Sequence, residues 1–222
     1  MLDRMWETLK GKKNVIEEAR SDCLRMMATG REMFNLVVQA LEKDMDIQVR
    51  EKVAGMDKTI NAQQQDVRKK IYEHLALSRT RDLLQGLQLM TIVVDLERIG
   101  DYGKNMAELV DMLPDKMSFD KYEEHYREVQ EGTLELFDLT RDALANGDEE
   151  KAREVLRRYD TISKICDGTL RGVITAEGYG DCVDKWKLGL VLLLRYMKRV
   201  SAHLKNIASA VINPFHRIGY RA

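Results

Sequence analysis

The stretch DLERIGDYGKNMAE, residues 95–108, has a counterpart in the second half of the chain, and this pair decides the fold. Residues 98–107 read RIGDYGKNMA, and residues 199–208 read RVSAHLKNIA. At this offset of 101 residues the Arg, Lys, Asn and Ala positions are identical, and Ile and Met are replaced by other apolar residues. We interpret the two stretches as equivalent parts of a duplicated unit.

Apolar residues recur at three- and four-residue spacing along the chain, which predicts six helices of about 30 residues each. The predicted segments run from about Lys13 to Lys43, from Asp46 to Leu77, from Arg81 to Leu113 before Pro114, from a Ser118 cap to Asn146 and Gly147, from Glu149 behind an Asp148 cap to Thr175, and, after a Glu177–Gly180 turn, from an Asp181 cap to Ile212 before Pro214. The predicted fold class is therefore all-α, a tandem of two antiparallel three-helix bundles over residues 1–113 and 118–213, with a tail over 214–222.

Composition narrows the class of protein. The 222 residues carry 36 Lys and Arg against 37 Asp and Glu, which argues against a general nucleic-acid binder. The longest apolar run, residues 188–194, is too short to span a bilayer, and the first residues lack a signal-peptide core. The three cysteines, Cys23, Cys166 and Cys182, lack the CxxC spacing of metal or redox sites. We expect a soluble cytoplasmic protein with free thiols.

Polar residues interrupt the apolar stripes of the second and third helices. The stripe of the third helix is predicted to comprise Leu83, Leu87, Met90 and Val94, followed by Glu97, Asp101 and Asn105. Glu97 and Asp101 lie one turn apart, and Asp57 and Asn61 form a similar pair on the second helix. Partly buried carboxylates persist when they are protonated, ion-paired or bound to metal. Four oxygen donors from two helices would suit Fe, Mn, Mg or Ca, with Zn also allowed. The alternative is a set of salt bridges with Arg98, Lys58 and Lys104.

The second half lacks this carboxylate set. At the offset of 101, Lys198 replaces Glu97 and Ala202 replaces Asp101. Asp160 lies in the same part of the fifth helix as Asp57 does in the second, and we take these two residues as counterparts. We therefore expect at most one metal site of this kind. We also expect an ion pair between Lys198 and Asp160 in the space that a second metal ion would occupy.

Residues 95–108 resemble the signature of the PhoU family of phosphate-uptake regulators, a D-L-E-R-I-G-D-x-x-x-N-I-A-E string on the third helix of each three-helix repeat. The resemblance implies a cytoplasmic, non-enzymatic regulator that works with phosphate transporter subunits and a sensor histidine kinase, reaching the membrane only through them. It also implies metal ions, with iron or zinc favoured, held by Glu97 and Asp101 together with Asp57, while Asn61 is a weaker donor. Asp95 points away from Glu97 and is not expected to contact the metal.

Several alternatives stay open. A carboxylate-bridged metalloenzyme would use the same donors, although the four histidines are scattered and lack the Glu-x-x-His spacing of ferritin-like enzymes. A metal-free structural bundle, or a metal-free accessory protein of a different phosphate carrier, would satisfy the carboxylates by ion pairing. The tail from Asn213 to Arg221 would be either a docking peptide or a packed end of the bundle. A homodimer is expected because regulatory bundles commonly pair.

Overall fold

The computed structural model describes residues 15–42, 48–78, 82–113, 119–175 and 185–220. This part of the chain forms six long α-helices: α1 (Val15–Glu42), α2 (Gln48–Ser78), α3 (Leu83–Val110), α4 (Glu123–Asn146), α5 (Glu149–Thr175) and α6 (Lys185–Ile212). Two 3₁₀ turns, Asp120–Tyr122 and Phe215–Arg217, precede α4 and follow α6. None of the described helices is both long enough and apolar enough to cross a membrane.

Local sequence signals set the break between α4 and α5. Gly147 adopts a left-handed conformation with φ of 66°, which ends α4 in the way that glycine allows at low cost. Asp148 then caps α5, because its Oδ1 accepts a hydrogen bond of 3.0 Å from the backbone N–H of Lys151. The structure thus confirms both of these predicted caps. The predicted Ser118 and Asp181 caps and the predicted turn at 177–180 lie outside the described residues.

The six helices form two bundles of three. Helices α1, α2 and α3 pack on one another, as do α4, α5 and α6. Each bundle buries an apolar interior in which the large side chains are almost fully enclosed, among them Met26, Phe34, Ile60, Ile99, Leu136, Phe137, Leu193 and Met197. Burial of such side chains is the main stabilising contribution, about 1.5–3 kcal/mol each before the entropy cost. The predicted all-α tandem of three-helix bundles is confirmed.

The predicted buried face of α3 was wrong by about one residue. Leu83 and Val94, predicted to face the core, are 42% and 39% exposed. The buried face instead contains Gly86, Leu89, Ile92, Val93, Leu96, Ile99, Gly100, Gly103, Met106 and Ala107. The first half of α3 is apolar nearly all round, and glycines add no hydrophobic signal, so periodicity does not single out one face.

The two bundles join mainly through α3 and α6, with a smaller contact between α1 and α4. The two helices of this junction cross antiparallel: Asp95 contacts His203, and Tyr102 lies 6.0 Å from Tyr196, centroid to centroid. The offset of 101 converts the first pair of positions into the second, because Asp95 corresponds to Tyr196 and Tyr102 to His203. Equivalent surfaces of the two repeats therefore meet each other, as in a two-fold dimer.

The tail folds back on the end of α6. Asn213 donates hydrogen bonds of 3.0 Å to the carbonyl oxygens of Arg217 and Tyr220, and Gly219 donates one of 2.7 Å to Ser209 Oγ. Lys205 Nζ donates to the carbonyl oxygen of Gly219 at 2.7 Å. Residues 213–220 thus match the packed-end alternative. The last two residues of the predicted tail, Arg221 and Ala222, lie outside the described residues.

Candidate functional site

The four predicted donor residues lie where α2 and α3 face each other. Asp57 is buried, with 5% of its surface exposed, whereas the side chains of Glu97 and Asp101 are 20% and 28% exposed. Asn61, one turn after Asp57, donates a hydrogen bond of 3.3 Å from Nδ2 to Asp57 Oδ2. The structure therefore brings together the two helices that the sequence predicted.

A lysine lies at the centre of this group. Lys104 Nζ donates to Asp57 Oδ2 at 3.2 Å and lies 3.6 Å from Asp101 Oδ1. The Lys104 side chain is 34% exposed, so its stem runs along the helix pair while its ammonium group reaches the buried carboxylate. The ammonium group thus bridges one carboxylate from each helix.

Arginine completes the outer side of the cluster. Arg98 Nη1 donates to Asp101 Oδ2 at 3.1 Å, and its Nε lies 3.7 Å from Glu97 Oε2. Its side chain is 55% exposed, so solvent weakens both contacts. The predicted salt-bridge alternative is therefore present in the structure for Arg98 and Lys104.

One oxygen of Asp57 is left over. Asp57 Oδ1 is buried and has no hydrogen-bond partner among the described residues. It lies over Gly100, where an added Cβ would come within 3.6 Å of it and within 3.1 Å of Ile60 Cδ1. The glycine of the sequence motif therefore lets α2 approach α3 closely enough for Asp57 to reach the cluster.

The electrostatics of the cluster reflect its excess of carboxylates. Burial, and then the neighbouring Asp101, raise the pKa of Glu97, while Arg98 opposes this. Partial burial would lower the pKa of Lys104, but its hydrogen bond to Asp57 and the charges of Asp57 and Asp101 outweigh burial and raise it. The raised pKa of Lys104 indicates a site that attracts positive charge.

The side-chain oxygens of this cluster are suitable ligands for a cation, and the ammonium group of Lys104 lies among them. Within the described residues, no group of three or more His, Cys, Asp or Glu side chains lies close enough together to hold a metal ion. The unpartnered oxygen of Asp57 is nevertheless an oxygen ligand of the kind that hard cations prefer. Metal binding here would require the carboxylates to move together around an ion at the place that the ammonium group of Lys104 occupies.

The corresponding place in the second bundle differs. Lys198 Nζ lies 2.6 and 2.7 Å from the two carboxylate oxygens of Asp167, so the predicted pairing with Asp160 was wrong. The antiparallel packing of α5 on α6 pairs residue 198 with residue 167. Asp160, two turns earlier on α5, instead lines a cleft of about 530 Å³ together with Lys205.

Asp95 belongs to the junction between the bundles. Its Oδ1 accepts hydrogen bonds from His203 Nδ1 at 2.7 Å and from Asn206 Nδ2 at 3.2 Å, both on α6. Tyr102 stacks on the His203 ring at 5.7 Å, and its hydroxyl accepts a hydrogen bond from Arg199 at 3.1 Å. Sequence reasoning missed this polar junction. The signal available was that Tyr102, His203 and Asn206 all fall within the two repeated stretches.

The remaining residues that the sequence singled out have packing contacts. His74 lies 2.7 Å from Asp82 and His125 lies 2.8 Å from Thr169, while His216 is exposed. These three histidines are thus hydrogen-bonded in packing or exposed. Cys23 and Cys166 are free and buried, and Cys182 lies outside the described residues.

Comparison with known proteins agrees with the repeated architecture. The family sequence model of the PhoU domain matches the chain twice, over residues 23–110 and 126–211. A protein of Pseudomonas aeruginosa named "Phosphate-specific transport system accessory protein PhoU homolog" is 25% identical over 199 residues, which are 89% of this chain and 82% of that protein. A Thermotoga maritima protein named as homolog 1 of the same accessory protein is 26% identical over 198 residues, 87% of this chain and 84% of the relative.

Solved structures show the same fold. The crystal structure of PhoU from Pseudomonas aeruginosa superimposes with a TM-score of 0.80 at 26% identity, over 89% of this chain and 95% of the other. The phosphate transport system regulatory protein PhoU from Streptococcus pneumoniae superimposes with a TM-score of 0.78 at 19% identity, over 89% and 93% of the two chains. At that lower identity the likeness concerns the fold alone.

Proposed function

This chain belongs to the PhoU domain family, and from that membership we propose that it is an accessory regulator of a phosphate-specific transport system. The observation that carries the proposal is the pair of domain matches, which together cover more than half of the chain. Relatives bearing that accessory-protein name align with nearly the whole of it. The family is one of accessory proteins, and the role proposed is regulation without catalysis.

The finer role we propose is that of a cytoplasmic adaptor between phosphate transporter subunits and a sensor histidine kinase, acting as a negative regulator. Long helices with many charged residues provide extended surfaces for such contacts, on which electrostatic complementarity sets specificity. Association with the membrane would then occur only through these partners. A homodimer is part of the same proposal, and light scattering during size-exclusion chromatography tests it.

A reporter experiment tests the regulatory role. Deletion of the encoding gene should switch on a phosphate-starvation reporter while external phosphate is abundant, and the intact gene supplied in trans should switch it off again. Affinity purification of the tagged chain from membranes should recover the transporter ATPase subunit. A reporter that stays silent after deletion would contradict the negative-regulator role, whereas missing recovery would contradict only the adaptor contact.

We place one cation site in the first bundle, with Asp57 and Asn61 of α2 and Glu97 and Asp101 of α3 as its donors. The unpartnered oxygen of Asp57 and the closeness of the Glu97 and Asp101 carboxylates, with the pKa of Glu97 raised by burial and then by Asp101, support a divalent or ferric ion. When bound, such an ion would neutralise the cluster and tie α2 to α3. The second bundle is left without an equivalent site, because Lys198 and Ala202 stand where two of the donors would be.

Elemental analysis of purified protein tests the site. We expect up to one ion per chain, lost in Asp57→Asn and retained in Asp160→Asn, the matched change at the corresponding position of α5. Metal content unaffected by Asp57→Asn would contradict the ligand assignment.

A metal-free accessory protein, serving a different phosphate carrier, is the second candidate. The specific observation in its favour is Lys104, whose ammonium group already compensates Asp57 and Asp101. Protein purified without any bound ion from medium supplemented with iron and zinc would favour this candidate.

A further inference from the structure

The cation cluster of the first bundle contains a positive group that belongs to the chain itself. Lys104 Nζ lies within 3.6 Å of carboxylate oxygens from both α2 and α3. A metal ion coordinated by Asp57 Oδ2 and Asp101 Oδ1 would have to lie within about 2.6 Å of each oxygen. An ion in that place and the ammonium group would repel each other strongly, since both carry positive charge at close range.

We propose that Lys104 is the resident cation of this site, a tethered ammonium group that any metal ion must displace before it binds. The inference rests on the donor set assigned under the proposed function, and it adds the residue that decides how tightly that set binds metal. Displacement leaves the carboxylates free to close on the ion, and it sends the Lys104 side chain towards the solvent, which already reaches a third of it.

The position of Lys104 makes this role specific to the first bundle. Its counterpart at the offset of 101, Lys205, donates to the backbone carbonyl of Gly219 at 2.7 Å and lies 5.5 Å from the centroid of the Tyr159 ring. The lysine is thus present in both repeats, but the carboxylates of Glu97 and Asp101 are present only in the first. In the second repeat, Lys198 and Ala202 stand at the positions of Glu97 and Asp101, so the donor set around the first-bundle lysine is not repeated there.

A matched control exists in the same bundle. Lys70 Nζ lies 2.7 Å from Asp22, whose side chain is 9% exposed, just as Lys104 pairs with an Asp57 side chain that is 7% exposed. The two lysine side chains are 39% and 34% exposed. Neutralising Lys70 therefore removes a comparable ion pair from the bundle without touching the proposed donor set.

The test is titration of metal-free protein with Mn²⁺, followed by the loss of the electron paramagnetic resonance signal of the free ion. We expect Lys104→Gln to bind Mn²⁺ about tenfold or more tightly than the wild type, the change expected for about 1.4 kcal/mol of lost competition. Lys70→Gln and the charge-conserving Lys104→Arg should bind as the wild type does. Adding Asp57→Asn to Lys104→Gln should abolish the gain.

A second measurement reports the displacement directly. Brief acetylation of surface amines, resolved by mass spectrometry, should label Lys104 faster when Mn²⁺ is present and should label Lys70 at an unchanged rate. This readout uses the wild-type chain, so it stands even if Lys104→Gln folds poorly, and Lys104→Met provides a second variant for the titration.

The outcomes separate the two proposals. Tighter Mn²⁺ binding by Lys104→Gln than by the wild type supports the resident-cation role. If the wild type binds no measurable Mn²⁺ but Lys104→Gln does, that role is still supported, and only the proposed metal site of the native chain is contradicted. Equal binding by the wild type and Lys104→Gln overturns the role of Lys104 while the donor assignment stands. Absence of binding by all variants overturns both.

Discussion

Removing the carboxylate of Asp95 should weaken the junction between the two bundles. Asp95 lies on α3, yet both of its hydrogen-bond donors, His203 and Asn206, come from α6. The side chains of Asp95 and His203 are only 14% and 12% exposed. Asp95→Ala would therefore leave two largely buried donors without an acceptor. Water reaches this place too little to replace the lost bonds in full.

The magnitude follows from the two bonds. Both bonds end on the Asp95 carboxylate, and a hydrogen bond to a charged group contributes about 1.5–3 kcal/mol. Alanine returns about 0.5 kcal/mol through its higher helix propensity. With both bonds at the lower end of that range, we therefore expect Asp95→Ala to lower the free energy of unfolding by about 2.5 kcal/mol or more. Asp66→Ala, an exposed position on α2, should change it by about 0.5 kcal/mol or less and controls for the helix-propensity gain.

Urea unfolding followed by far-UV circular dichroism measures both variants. A double-mutant cycle with His203→Ala should give a coupling energy of about 1–2 kcal/mol between positions 95 and 203, because the second substitution removes a bond that the first has already broken. The reasoning is refuted if Asp95→Ala is no more destabilising than Asp66→Ala, or if the effects of Asp95→Ala and His203→Ala simply add.

Two further predictions concern packing and thiol chemistry. Gly30→Ala should destabilise the protein by about 1–2 kcal/mol, because its methyl group would lie 2.9 Å from Ile99 Cγ2 in the core, whereas Gly168→Ala, with no atom within 4 Å, should stabilise it by about 0.5–1 kcal/mol. Thermal unfolding measures both, and the same sign for the two would contradict the packing argument. Burial raises the pKa of the Cys23 and Cys166 thiols from 9.0 to about 12, so little reactive thiolate forms at pH 8, and a disulfide reagent should label both far more slowly in the native than in the urea-unfolded protein. Because the folded state holds these protons more tightly than the unfolded state, the stability that the two buried thiols contribute is complete below pH 9 and is lost as the pH rises towards 12. Mass spectrometry of the two labelled peptides at increasing pH checks that labelling of the native protein rises over this range.

Most of the fold was predictable from two features of the sequence, the internal repeat and the helix caps. The matched stretches at 98–107 and 199–208 predicted two equivalent units, and Gly147 with Asp148 predicted the break between α4 and α5. These signals are local, or they compare the chain with itself, so they need no knowledge of which helices touch. The same locality explains the wrong face of α3, where apolar residues surround the helix and only its neighbours decide which of them are buried.

The candidate site divides in the same way. Spacing placed Glu97 and Asp101 one turn apart and paired Asp57 with Asn61, and the structure brings the two pairs to one place. The sequence did not distinguish Lys104 from the other cations near the carboxylates, Arg98 and Lys58. Its reach to Asp57 depends on the register between α2 and α3, as the pairing of Lys198 with Asp167 depends on the register between α5 and α6.

The amino-acid sequence by itself determined the helices, their number in each repeat and the family, because propensity, capping and duplication are written along one chain. The tertiary structure alone decided which polar side chains meet: Lys104 with Asp57, Lys198 with Asp167, and Asp95 with His203. Long side chains reach across helix pairs, and a shift of one helical turn, about 5.4 Å, exchanges one partner for another. The spacing of residues along a chain does not specify the register between two helices, so the pairing of charges in the cluster followed from the packing.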